Sequence, residues 1–372
     1  MYLKLFGKII PNHFIIFCTM KVEQKYNLKG LTVDELGEYF ESIGEPRFRG
    51  KQIFNWVYNH LEDDFEKMMN LSKPLREKLS GVCTLDTLKK IAVEDSPSSG
   101  TKKYLFSTFD NHNIEAVVIP EKERITLCIS TQVGCPLDCK FCATGVMGYK
   151  RNLTSGEIVD QYLSAAKDAG KDKITNIVYM GMGEPLINFD NTVKSLKILT
   201  SEFNTVISRN RITISTAGIP HKIIELGQSG IRVKLALSLH SCFEDIRSTI
   251  MPINKKYSLK ENIEAIEQYL KITKTRITFE YTMLNGINDR EDDVKALTKL
   301  CRRLDSKINI IPFNSIKHMN PGGISSELEP TPKQRIVEFA DKLRSNNITV
   351  MIRETQGDDI AAACGQLAVK YL

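Results

Sequence analysis

Long hydrophobic runs are missing from this sequence. No apolar stretch reaches the roughly 18 residues that a membrane-spanning helix needs, and no low-complexity tract or short repeat is present. The apolar run from Phe14 to Cys18 follows a break at Pro11, and no small-residue cleavage site comes after it. We therefore expect neither a membrane span nor a signal peptide. Because the sequence changes character at Met20, residues 1–19 are expected to be a leader that is disordered or not translated.

A strong excess of one charge is missing too. The 372 residues carry 51 Lys and Arg against 45 Asp and Glu, a net charge of +6. Residues 161–260 carry 14 basic and 8 acidic side chains, which accounts for the whole excess. A positive face for phosphate would explain this, but lysines on solvated helices are the commoner cause. The composition is that of a globular chain with two or three domains, or one large α/β barrel with additions.

The cysteines do not form the pattern of a small disulfide scaffold. There are nine of them, an odd number in a long chain. Four crowd into residues 128–142. This clustering indicates metal chemistry in a reducing cytoplasm rather than structural disulfides.

Three of the clustered cysteines, Cys135, Cys139 and Cys142, have the spacing C-x3-C-x2-C and follow a strand-like run. Soft thiolates bind zinc, Cu(I) or iron–sulfur clusters. A zinc loop that borrows Cys128 or a distant His stays open, although no local fourth ligand is obvious. Three cysteines on a four-iron cluster would leave one iron without a protein ligand. The spacing, with Phe141 before the last cysteine, resembles the signature of the radical S-adenosylmethionine (SAM) superfamily, in which SAM chelates that iron.

From Arg124 onward the sequence alternates between strand and helix patterns. The strand-like runs are 125–131, 174–180, 211–216, 233–239, 276–284 and 308–313; the helical runs are 155–169, 190–202, 220–228, 259–272, 290–304 and 332–346. Six βα units predict a parallel sheet with right-handed crossovers, curved into an open, partial (βα)6 barrel. A further strand at 348–353 and a helix-forming tail from Asp358 complete the chain.

Two smaller regions precede the barrel. Residues 28–80 predict a helical module, with a capping box from Thr32 to Glu35 and a turn rich in Arg and Lys that could dock on RNA. More commonly, helices with such spacing only pack against the rest of the protein, and their charged side chains face water. Residues 101–123 predict short connecting strands, one of which carries Glu115, and an isolated strand glutamate usually faces solvent. The predicted division is 1–19, 20–100, 101–123, 124–346 and 347–372.

Polar residues follow several of the predicted parallel strands, at the edge where such sheets bind ligands. They are Glu184, Ser215, Ser238, His240 and Asn314, with Gly183 and Leu239 beside them. Any one of them alone is more often structural, whereas successive strand ends that outline one pocket favour a site. Cys364 lies among small residues near the end of the chain, where a buried structural cysteine is the commoner case.

Taken together, the segments IEAVVIP, TLCISTQVGCPLDCKFCATG, GMGEPL, SLH and GDDIAAACGQL resemble the RlmN/Cfr family of radical SAM RNA methyltransferases over residues 28–370. The resemblance implies methylation of an unactivated adenine carbon. It is C2 in the RlmN branch, at adenine 2503 of 23S rRNA and adenine 37 of tRNA, and C8 of the same rRNA adenine in the Cfr branch. Pro185 and the tail are more similar to the RlmN branch. A radical SAM enzyme with a non-RNA substrate and a non-catalytic zinc module remain as alternatives.

The resemblance also implies roles for individual residues. Cys135, Cys139 and Cys142 would hold one [4Fe–4S] cluster, and the strand-end residues from Gly183 to Asn314 named above would contact SAM. One SAM would methylate Cys364, and a second would yield a radical that activates this methyl group for addition to adenine. Glu115 would accept the ring proton, and Cys128 would attack Cys364 to release the RNA from a transient crosslink, leaving a disulfide. An electron donor such as flavodoxin or ferredoxin and a cytoplasmic monomer are expected.

Overall fold

The computed structural model describes residues 25–170, 173–203 and 206–369, together with the backbone of two short N-terminal strands. These strands are β1 (Lys4–Leu5) and β2 (Lys8–Ile9), which pair with each other. Apart from that backbone, the predicted leader 1–19 lies outside the described residues.

A helical module comes first in the described chain. It contains β3 (Tyr26–Asn27), α1 (Val33–Ser42), α2 (Phe48–Tyr58), a 3-10 turn (Phe65–Lys67), α3 (Lys73–Val82) and β4 (Cys83–Thr84). The capping box predicted at the start of α1 is confirmed, because the Thr32 side chain accepts from the Glu35 N–H and the Glu35 carboxylate accepts from the Thr32 N–H. Leu36, Phe40 and Phe54 are fully buried between the helices.

The remainder of the chain builds one large sheet and its helices. The strands are β5 (Leu88–Asp95), β6 (Lys102–Thr108), β7 (Asn113–Glu121), β8 (Arg124–Cys128), β9 (Gln132–Gly134), β10 (Tyr149–Asn152), β11 (Asn176–Tyr179), β12 (Ile212–Thr216), β13 (Lys234–Ser238), β14 (Ile277–Met283), β15 (Ser306–Pro312) and β16 (Val350–Ile352). The helices are α4 (Ala143–Met147), α5 (Ser155–Ala169), α6 (Phe189–Leu199), α7 (Pro220–Gln228), α8 (Glu244–Ile250), α9 (Leu259–Thr273), α10 (Glu291–Arg303), α11 (Ile324–Glu327) and α12 (Lys333–Ser345). Short 3-10 turns lie at Arg209–Arg211, Pro252–Lys255, Lys317–Met319 and Asp358–Ile360.

Ten strands form the sheet in the order β16-β15-β14-β13-β12-β11-β8-β7-β6-β5. The seven strands from β16 to β8 are parallel, whereas β7, β6 and β5 continue the sheet antiparallel. Within the described residues the sheet stays open, with β16 and β5 at its edges. The predicted partial barrel is confirmed, and each predicted βα unit coincides with an observed strand and helix. The strand β5 was not predicted.

Burial explains why the parallel strands were easy to predict. All seven residues of β14 are buried, because helices cover parallel sheets on their faces and the strands read as continuous apolar runs. By contrast, five of the eight residues of β5 are exposed, and its apolar run is only three residues long, from Ile91 to Val93.

The helical module packs on α5 through backbone contact and a buried ion pair. A Cβ atom on Gly30 would lie 2.3 Å from the Gly156 nitrogen, so only glycine fits there. Lys29 Nζ lies 2.8 Å from Asp160 Oδ1, and both side chains are buried. The module is therefore held directly against the barrel. None of the described helices combines the length and apolar character that crossing a membrane requires.

Candidate active site

A cavity opens at the carboxyl edge of the parallel strands. It is lined by nine of the predicted site residues, namely Cys135, Cys139, Cys142, Gly183, Glu184, Ser215, Ser238, His240 and Cys364. Residues that were not predicted also line it, among them Tyr179, Met180, Glu280, Thr282 and Phe313. Four predicted residues lie outside its lining: Cys128, Glu115, Leu239 and Asn314.

The cysteine loop begins directly after β9. Gly134 has φ +73°, and a Cβ atom there would lie 1.8 Å from the Gly148 carbonyl oxygen, which requires glycine at this turn. The Cys135 N–H donates to the same oxygen at 2.9 Å, and the Cys142 N–H donates to the Cys139 carbonyl. Burial raises the pKa of the Cys139 thiol well above its ordinary value, and the neighbouring thiols of Cys142 and Cys135 raise it further. All three cysteines line the same cavity.

Glu184 is a buried carboxylate between two strand ends. Its Oε2 accepts from the Ala217 N–H at 2.8 Å and its Oε1 from the Leu186 N–H at 3.0 Å. Burial raises its pKa, and these two N–H groups oppose the rise. Before it, Gly183 has φ +99°, and a Cβ atom there would collide with Gln132. The backbone can thus approach a ligand closely, and the carboxylate can accept hydrogen bonds from an ammonium group.

His240 presents a neutral imidazole to the cavity. Its Nδ1 accepts from the Thr282 N–H at 2.9 Å, so that its Nε2 carries the proton. Burial, together with the nearby Arg247 guanidinium, lowers the pKa of His240 to about 3. The ring lies edge-on to Phe141 of the cysteine loop, with centroids 4.5 Å apart. This strand end and the cysteine loop are therefore in direct contact.

The loops after β12 and β13 are held together by a buried arginine. Arg247 Nη2 donates to the Ala217 carbonyl at 2.6 Å and to the Ser238 carbonyl at 3.1 Å. The hydroxyls of Ser215 and Ser238 lie 3.5 Å apart beside the cavity. Leu239 is fully buried and does not line the cavity.

The chain after β16 returns to the cysteine loop. The Ala143 N–H donates to the Gly365 carbonyl at 2.7 Å, and the Thr144 hydroxyl donates to the Leu367 carbonyl at 2.6 Å. We call residues 357–369 the tail. It is hydrogen-bonded to the helix that begins right after the third cysteine of the motif.

Cys364 is exposed, as are Asp358 and Asp359 earlier in this tail. Asn314 Nδ2 donates to its carbonyl at 3.1 Å, so Asn314 holds the tail without lining the cavity. The cysteine is exposed in the cavity, contrary to the burial that is common for a lone cysteine. Desolvation of the sulfur atom raises the pKa of the Cys364 thiol to about 11, and the Arg353 guanidinium opposes this rise.

Cys128 lies at the end of β8, buried and close to the tail. Burial raises the pKa of its thiol to about 12, the Cys364 thiol adds to the rise, and Arg353 opposes it. Arg353 also faces Glu280, with Nε 3.9 Å from Oε2. One guanidinium thus acts on both thiols.

Glu115 is buried, so the expectation that an isolated strand glutamate faces solvent is wrong here. Only 2% of the residue is exposed. Its Oε1 lies 3.6 Å from Lys103 Nζ, and within the described residues its Oε2 has no hydrogen-bond partner. Burial raises its pKa. The neighbouring strand that holds Lys103 shields it from water, which a strand pattern read in isolation does not reveal.

Two family models match parts of this chain. Residues 26–85 match the family described as the ribosomal RNA large subunit methyltransferase N-terminal domain, and residues 129–298 match the radical SAM superfamily. The crystal structure of a radical SAM methyltransferase from Sphaerobacter thermophilus is similar with a TM-score of 0.85 and 39% identity, over 92% of this chain and 99% of that one.

Sequence relatives cover nearly the whole chain. A probable dual-specificity RNA methyltransferase RlmN from Thermotoga neapolitana is 46% identical over 344 residues, 92% of this chain and 98% of the relative. The dual-specificity RNA methyltransferase RlmN of Halorhodospira halophila is 42% identical over 341 residues, 91% of this chain and 92% of the relative. The chain belongs to the RlmN family of radical SAM RNA methyltransferases.

Radical SAM membership implies an iron–sulfur cluster and SAM as cofactors of this RlmN-family protein, and the cavity fits both. Within the described part of the chain no three His, Cys, Asp or Glu side chains converge on a single metal position. Thiolates of a four-iron cluster bond to separate irons and need no such convergence. Cysteine thiols become thiolates when a metal replaces the proton. Glu184 offers a buried acceptor to the SAM ammonium group.

Five polar residues around this RlmN-family site were not predicted. Gln132 orients the Glu184 backbone by accepting its N–H at 2.8 Å. The others are charged: Lys103, Arg247 and Glu280 are buried, whereas Arg353 is partly exposed. Lys103 lies on β6, Glu280 on β14 and Arg353 just after β16. A charged residue within or next to an apolar strand is therefore the sequence signal that could have identified these three. Arg247 lies on a short helix and gives no such signal.

Proposed function

We propose that the protein methylates C2 of adenine in RNA, at adenine 2503 of 23S rRNA and adenine 37 of tRNA, with Cys364 as the methyl carrier. The observation that carries this proposal is that Cys364 lines the same cavity as the three cysteines and Glu184. The dual specificity in the names of the relatives supports the two RNA classes.

A carrier thiol answers a chemical difficulty. An adenine ring carbon is too weak a nucleophile to take a methyl group from SAM directly, whereas a thiolate is nucleophilic. When bound, one cluster and two SAM molecules per turnover supply the methyl group and the radical that activates it. Cys364 would hold the methyl group beside the cavity, and Arg353 would favour the thiolate that receives it.

Glu115 and Cys128 would complete the reaction after the carbon–carbon bond joins Cys364 to the RNA. Glu115 would accept the ring proton, because it is the buried carboxylate beneath the tail and one of its oxygens has no partner among the described residues. Cys128 would then attack the Cys364 sulfur, so that an S–S bond forms and the bond between that sulfur and the methylene carbon breaks. The carbon keeps the electron pair and takes a proton, which leaves a methyl group on the released RNA. The resulting disulfide must be reduced before the next turnover.

The helical module would bind RNA next to the barrel. Arg49 lies over the ring of Phe48, at 4.9 Å, and Lys51 lies over the ring of Phe203, at 5.4 Å. Both rings are about half exposed, so unpaired bases can stack on them while the cations meet phosphates. The target adenosine must leave its stack to reach the cavity. We expect a cytoplasmic monomer that takes electrons from a flavodoxin or ferredoxin.

The product distinguishes the possible reactions. Anaerobically reconstituted protein, SAM and a reductant are incubated with an unmodified 23S rRNA fragment or with tRNA, and the digested nucleosides are separated by chromatography. We expect 2-methyladenosine together with 5′-deoxyadenosine. A peak of 8-methyladenosine would instead assign the protein to the C8 branch, and unmodified RNA of both kinds would contradict an RNA substrate.

The carrier role of Cys364 is tested by Cys364→Ala. We expect RNA methylation to fall below detection while 5′-deoxyadenosine is still formed, because the cluster and SAM contacts remain. Cys301→Ala, which changes a half-buried cysteine outside the cavity, serves as the matched control and should methylate RNA normally. Undiminished methylation by Cys364→Ala would refute the carrier mechanism.

A further inference from the structure

Lys103 lies between the tail and the proposed base. It is on β6, only 3% exposed, and its Nζ has three acceptors around it. The Ile360 carbonyl lies at 2.6 Å, Glu94 Oε2 at 3.1 Å and Glu115 Oε1 at 3.6 Å. The ammonium group thus contacts the tail, a half-exposed carboxylate and a buried carboxylate at once.

The tail contact is one of several that fix the same turn. Ser96 and Ser98 donate to the Asp359 carboxylate at 2.8 and 3.1 Å, next to the carbonyl that Lys103 holds. Gly357 packs against Thr101, where a Cβ atom would come within 2.9 Å. The turn formed by residues 357–361 is therefore anchored on β6 and on the loop between β5 and β6, and it ends three residues before Cys364.

The charge balance around Glu115 depends on the same lysine. Burial raises the pKa of Glu115, Lys103 lowers it, and Glu94 raises it. These two are the charged groups that face it from β6 and β5. A buried carboxylate without a cation tends to take up a proton rather than stay charged.

We propose that Lys103 is a positioning residue that joins Glu115 to the tail carrying Cys364, so that docking of the tail fixes a positive charge beside the base. This inference rests on the proposed role of Glu115. The Ile360 carbonyl holds the ammonium group near the buried carboxylate. If the tail leaves, Lys103 keeps Glu94 as its nearest partner, and Glu115 loses the charge that keeps it ionised. The base would thus be ionised when the methyl carrier is in place.

The test titrates Glu115 directly in the RNA-free, reconstituted full-length protein. Carboxylate infrared difference spectra against Glu115→Gln follow its ionisation as the pH is varied. We expect Lys103→Met to raise the midpoint by about 1 to 3 pH units, since a cation at this distance lowers a carboxyl pKa by that amount. Glu94→Gln should shift the midpoint in the opposite direction, and Lys103→Arg should stay close to wild type. Equal midpoints in Lys103→Met and wild type would overturn the proposal.

The link to the tail has its own measurement. Hydrogen exchange of the amides in residues 357–363 should be faster in Lys103→Met than in wild type, and Lys103→Arg should restore slow exchange. Unchanged exchange would overturn the link to the tail. Neither measurement needs RNA, so both outcomes are independent of whether adenine C2 is the methylated atom. Wild-type protein that leaves RNA unmodified would refute the proposed function alone.

Discussion

His240 adopts a backbone conformation that residues other than glycine rarely adopt. Its φ is +55°, which costs about 1–2 kcal/mol for an ordinary residue. Asn288 Nδ2 donates to the His240 carbonyl at 2.7 Å, and the His240 ring accepts from the Thr282 N–H. These bonds place the imidazole against the cysteine loop. Strain of this kind is typical of ligand-binding positions.

The neutral state of His240 makes stability depend on pH. Its pKa is about 3 in the folded protein and 6.5 when unfolded, so below pH 6.5 the unfolded chain binds more protons. The free energy of unfolding should therefore fall with decreasing pH, by up to ~1.4 kcal/mol per unit, until about pH 3. His240→Asn keeps an acceptor near the Nδ1 position and tolerates the positive φ. Urea unfolding at several pH values should show a weaker pH dependence in the variant; parallel curves would contradict this.

At the scale of elements, α5 joins the helical module to the barrel through Asp160. Its carboxylate pairs with the buried Lys29, and its Oδ2 accepts from the Thr87 hydroxyl and the Leu88 N–H. The same helix carries Asp168, which pairs with Lys90 at 2.7 Å in a partly exposed position. One helix thus offers a buried and a surface ion pair for comparison.

Removal of the two carboxylates should have very different costs. Asp160→Ala leaves Lys29 charged and buried, which we expect to lower the free energy of unfolding by about 3–5 kcal/mol. Asp168→Ala removes a solvated pair and should cost about 0–1 kcal/mol. Denaturant unfolding of the two variants, measured side by side, checks the difference. Similar losses in both would mean that the module is not anchored through Asp160.

The elements that sequence predicted well are those with strong periodicity. The helices α5, α6, α7, α9, α10 and α12, and the parallel strands before them, carry apolar faces that only one secondary structure satisfies. The strand β5 escaped because most of its side chains are exposed. The strand ends with Glu184 and His240 were predicted from their residue types. Lys103 and Arg353 were not, because their partners are distant in sequence and only the folded chain brings them together.

At the scale of the whole molecule, the charged and aromatic surface of the helical module lies on the same body as the cavity. We expect Lys51→Gln to weaken RNA binding and to reduce the slope of log affinity against log salt by about 1, because one phosphate contact is lost. Formation of 5′-deoxyadenosine without RNA should not change. Lys317→Gln, which alters a surface lysine paired with Glu329, is the control. Identical salt slopes for Lys51→Gln and wild type would remove this surface from the RNA interface.

The contact of Gly30 with Gly156 leaves no space for even one methyl group between the helical module and α5. Such close backbone packing holds the module in a fixed position relative to α5. RNA bound by the helical module, as proposed above, would therefore enter the cavity at a fixed distance from the module. Two RNAs with unrelated sequences would both be accepted if the distance from the bound strand to the unstacked adenine were the same. A longer or shorter distance would keep the adenine away from Cys364.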